Sequence, residues 1–279
     1  MTRDADPGAG SQRTPLKLAL YDELVPWYRL LDPTEDHRVE AAIFASAFER
    51  AVEGSCATLL ELGSGAGNNA FHMKRRFRCT LADSSEPMLA LSREINPACE
   101  HITGDMRSLR LDRTFDAVLV HDAVVYMASE ADLDAAARTA FVHTRPGGAA
   151  IFAPDCVREI FRESTNLFEA DEGRMSLRSL EWSWDPDPED DQYVVDYAFL
   201  ARQGTEMRAV HERHLMGLFA QATWLRILAS AGYRVEMIGR PVGEGETDQV
   251  FLCRRPASEP AAAYRAATEQ VPVEQGWDR

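Results

Sequence analysis

The segment that most constrains the fold of this chain is Glu61-Leu62-Gly63-Ser64-Gly65-Ala66-Gly67. It follows the apolar run Ala57–Leu60 and precedes the helix-like stretch Asn69–Arg78. A buried strand ending in an acid thus leads through three alternating glycines into a helix. Glycine lets backbone N–H groups approach a ligand where a Cβ would clash, and a helix N-terminus favours the negative end of that ligand. The segment therefore predicts a site for a nucleotide-like cofactor.

Strand-like and helix-like patterns alternate on either side of the glycines. The predicted strands are Thr58–Leu62, Arg78–Asp83, Glu100–Thr103, Phe115–His121 and Ala149–Pro154. The predicted helices between them are Asn69–Phe77, Glu86–Asn96 and Glu130–His143. This alternation predicts a parallel sheet covered by helices on both faces, with ligands beyond the carboxyl ends of the strands.

The N-terminal part has a helical pattern of its own. Apolar and aromatic residues recur at helical spacing over Leu16–Leu31, and Pro26 is expected to break that helix. Asp32-Pro33-Thr34-Glu35-Asp36 predicts a turn and helix cap before an amphipathic helix at His37–Val52.

The rhythm changes after the fifth strand. Mixed polar alternation predicts strands at Ser176–Trp184, Gln192–Ala201 and Glu206–Arg213, which we interpret as an antiparallel insertion over the strand ends. A helix at Phe219–Ala231 and strands at Tyr233–Ile238 and Asp248–Cys253 then return to the core. A hairpin around Gly243-Glu244-Gly245 would make one strand of the sheet antiparallel.

Composition limits the partners. The formal charge of −15 repels phosphate backbones, so nucleic acid is not an expected substrate. No apolar run is long enough to cross a bilayer, and Met1–Thr14 lacks the apolar core of a secretion signal, so we expect a cytoplasmic protein without a membrane partner. The five cysteines are scattered, which indicates free thiols and no structural metal.

Acids follow three successive strands at positions suited to a nucleoside ligand. Glu61 can support the glycine loop and a cationic amino-acid group, and Asp83 can accept both hydroxyls of a ribose. Gly104-Asp105-Met106 offers an acceptor and an apolar side chain to an adenine. Singly, these acids also suit a helix cap, a turn and a loop. Gly65–Ala70 matches G-x-G-x-x-A as well, which leaves a dinucleotide open at this point.

Together these residues resemble the class I S-adenosylmethionine-dependent methyltransferases, of small-molecule type, with amino-sugar N-methyltransferases the nearest likeness. The resemblance runs from about Tyr21 to Cys253 and includes Phe115-Asp116-Ala117-Val118 and Arg145-Pro146-Gly147-Gly148. It implies an α/β, Rossmann-like, seven-stranded, mostly parallel sheet with helices on both faces, an N-terminal helical lid and an antiparallel β insertion over the active site. It also implies S-adenosyl-L-methionine as cofactor and S-adenosyl-L-homocysteine as product.

The resemblance also implies which residues hold the cofactor. The glycine loop would hold its methionyl part, Asp83 its ribose, and Asp105 with Met106 its adenine. The full set of expected cofactor-binding residues is Tyr21, Tyr28, Glu61, Gly63, Ser64, Gly65, Gly67, Asp83, Ser84, Met88, Gly104, Asp105, Met106 and His121. The expected regions are a disordered N-terminus (1–14), lid (15–53), cofactor-binding core (54–155), insertion (156–216), C-terminal core (217–255) and mobile tail (256–279).

His121 and Tyr126, just past the fourth strand, are the expected catalytic residues, because this family presents catalytic groups there. His121 would act as base or orienter, and the alternative is that it only packs against the cofactor. Tyr21, Trp27 and Tyr28 would close over the cofactor or pack on the core as an aromatic stripe.

The insertion supplies the expected substrate-binding residues. Aromatic faces near an acid can hold an ammonium or a sugar ring, although packing of a half-buried sheet also explains them. His211 and His214 would point to opposite faces of a strand, so a metal pair is not expected. The expected residues are Trp182, Tyr193, Tyr197, His211 and His214.

The sequence thus predicts methyl transfer to a small molecule, an amine of a secondary metabolite or amino sugar. Hydroxyl or carbon acceptors are the first alternative, and a non-catalytic cofactor-binding partner is the second. A nicotinamide oxidoreductase is the third, although neither Lys17 nor Lys74, the only lysines, stands in a Tyr-x-x-x-Lys pair. A homodimer is left open.

Overall fold

The computed structural model describes residues 18–241 and 247–257. The expected disorder of residues 1–14, the turn of the Gly243-Glu244-Gly245 hairpin and nearly all of the expected mobile tail lie outside the described residues. The described strands are β1 Thr58–Leu62, β2 Arg78–Asp83, β3 Glu100–Thr103, β4 Phe115–His121, β5 Thr144–Ala153, β6 Ser164–Glu172, β7 Met175–Trp184, β8 Gln192–Gln203, β9 Glu206–Gly217, β10 Arg234–Pro241 and β11 Thr247–Arg254. The α-helices are α1 Val25–Leu31, α2 Arg38–Ala51, α3 Asn68–Met73, α4 Glu86–Ile95, α5 Glu130–His143 and α6 Gln221–Ser230.

Seven strands form one sheet in the order β10-β11-β5-β4-β1-β2-β3. All neighbours are parallel except β11, which is antiparallel to both β5 and β10. The predicted α/β fold with one antiparallel strand is therefore confirmed. From β1 the chain winds outward through β2 and β3, and from β4 it winds the other way. The crevice between the carboxyl ends of β1 and β4 is the usual ligand site in such a sheet.

Helices cover both faces of this sheet because its strands are apolar on both sides. Leu60 and Leu62 lie in a core shared with α5 and α6, whereas Leu59 lies with the apolar face of α2 and with α3. The acid Glu61 is on the same side of β1 as Leu59 and is only 3% exposed. A carboxyl group is therefore held inside an apolar layer, beside the crevice.

The antiparallel insertion is a second sheet with strand order β6-β7-β8-β9. Strands β7, β8 and β9 match the expected ones but are longer at their ends, and β6 was not predicted. Most β6 side chains are exposed, Leu167 at 78%, because β6 is an edge strand. An edge strand of this kind lacks the apolar alternation by which strands are found in a sequence.

The N-terminal segment, residues 18–31, packs on one face of this second sheet. Leu20 and Leu24 are buried against Leu177 and Phe199. The helical pattern is interrupted near Pro26, as expected. A 3₁₀ helix, Ala19–Tyr21, ends before α1 begins at Val25, and Pro26 lies in the first turn of α1, where a missing N–H costs nothing. The expectation of a helix cap was wrong. The turn after Asp32 is a 3₁₀ helix, Thr34–His37, and no side chain caps it or α2.

Smaller differences lie in the core. Pro146-Gly147-Gly148 is part of β5, where a register shift against β4 absorbs the proline, and does not form a turn before the strand. The helix after the glycine loop ends at Met73, earlier than expected. None of the helices described is long and apolar enough to cross a membrane.

Candidate active site

The three glycines of the loop between β1 and α3 all have left-handed backbone conformations. Their φ angles are 73°, 51° and 74° at Gly63, Gly65 and Gly67. A Cβ built on Gly63 would lie 2.5 Å from the Cβ of Ala123, so Ala123 leaves no room for a side chain at position 63. A Cβ on Gly65 would have as its nearest neighbour the Met88 Cε, 3.5 Å away. Gly65 therefore borders open space, a cradle that a side chain would fill.

Asp83 connects this loop to the end of β2. Its Oδ2 accepts the N–H of Gly65 at 2.8 Å, and its Oδ1 accepts the N–H of Ser85 at 2.8 Å. Burial raises the pKa of Asp83, and these N–H groups partly oppose the rise. The carboxyl that was expected to bind a ribose thus also fixes the glycine loop.

Ser85 was missed by the sequence analysis, whereas the expected cofactor residue Ser84 beside it is exposed. The Ser85 hydroxyl accepts the N–H of Met88 as the cap of α4 and donates to the carbonyl of Tyr21 at 2.6 Å. It thereby ties the N-terminal segment to the cofactor side of the sheet. The sequence Ser85-Glu86-Pro87 is a helix-start signature that could have identified it.

Three buried polar atoms at the glycine loop and the start of α3, one of them Asn69 Oδ1, lack hydrogen-bond partners among the described residues. Among the residues that the structure describes, neither Glu61 Oε2 nor Ser64 Oγ makes a hydrogen bond. Burial raises the pKa of the Glu61 carboxyl to about 8, although the nearby charges of His121 and His37 lower it. Buried polar groups normally find partners, so these atoms fit a polar ligand that completes the site.

His121 lies at the end of β4, enclosed by α2. Its Nε2 is 3.1 Å from Glu40 Oε2 and 2.9 Å from Asp122 Oδ1, and its ring packs against Phe44. Burial works against a charge on His121, but Asp122 and Glu40 raise its pKa to about 10. These two carboxylates favour the imidazolium form of His121, whose Nδ1 lies 3.2 Å from Nδ2 of Asn69.

The Asp105 motif follows β3 as expected, but its carboxylate already has a partner. Both Asp105 oxygens accept hydrogen bonds from the Arg107 guanidinium, and Nη1 of Arg107 lies 3.1 Å from Asp132. Gly104 donates its N–H to the carbonyl of Asp83, and Met106 is buried against the glycine loop. The motif thus borders the same crevice, and its contact with adenine stays a prediction.

Tyr21 and Tyr126 meet above the crevice, with their hydroxyls 2.8 Å apart. Burial raises the pKa of Tyr21 above its usual value, and the nearby carboxylates of Asp155, Asp83 and Asp122 raise it further. Asp83 ends β2, and Asp122 and Asp155 follow β4 and β5, so negative charge from three strand ends acts on the hydroxyl of Tyr21. Tyr28 lies one layer behind and donates to Asp32 at 3.0 Å.

The second sheet divides the expected substrate residues between its two faces. Tyr193, Tyr197 and His214 lie on the inner face, where His214 is wholly buried and 4.7 Å from the Tyr197 ring. Trp182 and His211 lie on the outer face and are 49% and 70% exposed. The structure therefore brings the first three residues toward Tyr126 and keeps the last two away from it.

The site matches a known family. A family model described as a methyltransferase domain matches residues 59–148. The dTDP-3-amino-3,4,6-trideoxy-alpha-D-glucopyranose N,N-dimethyltransferase of Streptomyces venezuelae is 30% identical, over 76% of this chain and 90% of that protein. This chain belongs to the class I S-adenosylmethionine-dependent methyltransferases. It is therefore an enzyme of that type, and S-adenosyl-L-methionine is its cofactor, as predicted.

A further sequence relative and two solved structures are also similar to this methyltransferase. The dTDP-3-amino-3,6-dideoxy-alpha-D-glucopyranose N,N-dimethyltransferase of Streptomyces fradiae is 29% identical over 76% of the chain and 83% of that protein. The crystal structure of DesVI from Streptomyces venezuelae has a TM-score of 0.73 at 24% identity, covering 86% of this chain and 100% of that one. The sugar N-methyltransferase KedS8 from Streptoalloteichus has a TM-score of 0.73 at 21% identity, covering 92% and 99%. These two structures share the fold.

Three further acids of this methyltransferase were not among the expected site residues. Glu40 and Asp155 act on His121 and Tyr21 at the crevice, and Glu212 lies beside His214 in the second sheet. Glu40 lies on a helix and Glu212 on a strand where an acid ordinarily faces water, so no local signal marks either. Asp155 directly follows the strand that ends near Pro154, and the rule that ligands meet strand ends could have suggested it.

Proposed function

We propose that this methyltransferase methylates the amine of a small amino sugar of secondary metabolism. The observation that carries the proposal is that Asp83, Asp122 and Asp155 stand at the ends of strands on the cofactor edge of one sheet, where Ser85 and Tyr126 hold Tyr21. A negative crevice favours a sulfonium and an ammonium together, and it disfavours an anionic acceptor group. The relatives act on dTDP-linked amino sugars by name, which supports a nucleotide-linked amino sugar as the acceptor.

S-adenosylmethionine brings a methyl group already activated on its sulfonium. The protein then has to hold cofactor and acceptor in line and exclude water, and such orientation contributes about 7–11 kcal/mol to a barrier. The open cradle at Gly65 and the unpartnered atoms of Glu61 and Ser64 suit the methionyl end. Asp83 would accept the hydroxyls of the ribose.

His121 acts in this proposal as an orienting residue, because a base needs the lone pair that its two carboxylate partners disfavour. It would fix Asp122 at the crevice and hold α2 against the glycine loop. On the acceptor side, Tyr197 supplies an aromatic face, with Glu181 opposite it on β7 as a negative partner.

Two measurements test the proposal. Calorimetry should show binding of S-adenosylmethionine and S-adenosylhomocysteine but not of NAD. Mass spectrometry should then show one or two methyl groups added to dTDP-3-amino-3,6-dideoxyglucose. The matched control acceptor carries a 3-hydroxyl in place of the amine and should stay unmodified; methylation of the control alone would make the chain an O-methyltransferase.

A further inference from the structure

A chain of hydrogen-bonding side chains leads away from the crevice into the second sheet. The Tyr21 hydroxyl lies 2.8 Å from that of Tyr126, and the Tyr126 hydroxyl lies 2.7 Å from Nδ1 of His214. On the far side of the ring, Nε2 of His214 is 3.0 Å from Oε1 of Glu212. The chain therefore joins the N-terminal segment, the 3₁₀ helix Asp122–Tyr126 and strand β9.

The far end of this chain is fixed as an acceptor. Glu212 accepts the backbone N–H groups of Ala19 and Leu20, at 2.7 and 2.9 Å. Burial opposes its ionisation, but the nearby His214 imidazole and these N–H groups hold the pKa of Glu212 below its usual range. The Glu212 carboxylate favours, by its charge, the tautomer of His214 that carries hydrogen on Nε2, although the pair does not have hydrogen-bond geometry. This tautomer leaves Nδ1 as an acceptor toward Tyr126.

The near end of the chain is Tyr21, on the side where the proposed function puts the acceptor amine. The charges of Asp83, Asp122 and Asp155, the acids to which we assign a positively charged acceptor and cofactor, act on its hydroxyl. Burial keeps both tyrosines protonated by raising the pKa of each phenol, so neither is a base by itself. Each can accept one proton while it passes on another.

We infer that Tyr21 and Tyr126 relay a proton from the acceptor ammonium to Nδ1 of His214, which is the base for amine methylation in this chain. The inference rests on the proposed amine acceptor. An N–H bond of the ammonium breaks and the nitrogen keeps the electron pair. Tyr21 oxygen takes that proton and passes its own to Tyr126, whose proton forms the N–H bond at His214. The products are a neutral amine and an imidazolium that Glu212 stabilises.

The return of the proton follows the same path. Since His214 is wholly buried, its new proton leaves through Tyr126 and Tyr21 to water in the crevice once product has departed. A second methylation repeats the cycle, because each methyl transfer leaves an ammonium that must lose a proton before the nitrogen can attack again. Tyr197 and Glu181 are the other groups facing His214 and the relay from β8 and β7.

The kinetic test compares two variants of the relay with a matched control. Y126F breaks the relay, and H214Q keeps hydrogen-bonding capacity but takes up no proton. Y233F, which removes a buried hydroxyl bonded to Thr144 in the core, is the control. With dTDP-3-amino-3,6-dideoxyglucose at pH 7, Y126F and H214Q should lose roughly a hundredfold in kcat, the scale of a lost base. Y233F should stay within about twofold of the unchanged enzyme.

The pH profile separates a proton relay from a structural role. The loss in Y126F and H214Q should shrink as pH rises toward 10, since more acceptor then binds as free amine. A loss of equal size at every pH, or activity within twofold of the unchanged enzyme, would overturn the inference.

A second measurement needs no acceptor. Nitrogen NMR of ¹⁵N-histidine protein, assigned with H214Q, should show His214 with hydrogen on Nε2 and a bare Nδ1 that shifts in Y126F. If His214 carried hydrogen on Nδ1, that nitrogen could not accept the proton of Tyr126, and the inference would be wrong. If S-adenosylmethionine binds but no amine is methylated, the proposed acceptor fails and the relay fails with it. If an amine is methylated but His214 carries hydrogen on Nδ1, only the relay fails.

Discussion

Nε2 of His121, at the end of β4, lies 3.1 Å from Oε2 of Glu40, in the first turn of α2. The other oxygen of Glu40 is 2.8 Å from Nδ1 of His37, and His37 in turn contacts Asp32 at 2.6 Å. The cofactor side of the sheet is therefore connected to the N-terminal helices by alternating acids and imidazoles. These contacts make the attachment of α2 dependent on pH.

The first prediction concerns that dependence. Although burial opposes the charge, Asp122 and Glu40 raise the pKa of His121 from 6.5 to about 10 in the folded chain. Its stabilising contribution is thus complete below about pH 6.5, declines above it and is lost near pH 10. H121Q should lower the unfolding free energy by about 3 kcal/mol at pH 6. The gap should close toward pH 10.

Urea unfolding at both pH values measures this gap. H211Q is the matched control, because His211 is 70% exposed and its loss should change stability by less than about 0.5 kcal/mol. A gap for H121Q that is the same at pH 6 and pH 10 would show that His121 is neutral in the folded chain.

The second prediction uses the open cradle at Gly65. G65A should cost about 1 kcal/mol of stability for its left-handed backbone, and should weaken S-adenosylmethionine binding at least about tenfold, because the new methyl enters the cradle. Gly173 has a similar φ of 59° in open space away from the crevice, so G173A should carry the same stability cost with unchanged affinity. Equal cofactor affinity in the two variants would place the cofactor elsewhere.

The third prediction is that Glu61 releases a proton when S-adenosylmethionine binds. Burial raises the pKa of Glu61 to about 8, so this carboxyl is mostly protonated at pH 7. A cationic group bound beside it favours ionisation, so S-adenosylmethionine binding at pH 7 should release up to about one proton. Calorimetry in two buffers of different ionisation enthalpy measures the release, and E61Q should abolish it. Equal release with S-adenosylhomocysteine would assign the effect to the amino group and not to the sulfonium.

The fourth prediction tests the tie between the N-terminal segment and α4. Ser85 both caps α4 and bonds the Tyr21 carbonyl. Ser129 caps α5 in the same way, through the N–H of Asp132, without touching that segment. S85A and S129A should each cost about 1 kcal/mol in urea unfolding. Only S85A should also raise the Kd for S-adenosylmethionine, several-fold, in calorimetry, and an unchanged Kd would contradict the tie.

The strand-and-helix core could be predicted from sequence because its signals are local. Strands β1 to β4 and helix α5 have the predicted bounds, since apolar runs and helix caps mark them residue by residue. The cofactor could be predicted for the same reason. The glycines are required by the left-handed backbone of the loop, and Asp83 binds that loop through the N–H of Gly65, so both leave a local mark in the sequence.

The acceptor side could not be predicted in the same way. Whether a strand residue faces the crevice depends on which face of the second sheet packs on the N-terminal segment, and that packing joins residues about 190 positions apart, such as Ala19 and Glu212. The charge of His121 has the same origin, because Glu40 reaches it from another helix. A histidine at a strand end suggests a base until its partners are known.

The last prediction tests this division of the second sheet. Tyr197 lies on the inner face beside His214, and Trp182 lies on the outer face, packed against Trp184. Y197A should raise the KM for the amino-sugar acceptor about tenfold, because the lost aromatic face is worth about 1–2 kcal/mol to a desolvated cation. W182A removes a larger ring and should leave that KM within about twofold. Initial rates at saturating S-adenosylmethionine measure both, and a larger effect in W182A would mean that the acceptor approaches from the outer face of the sheet.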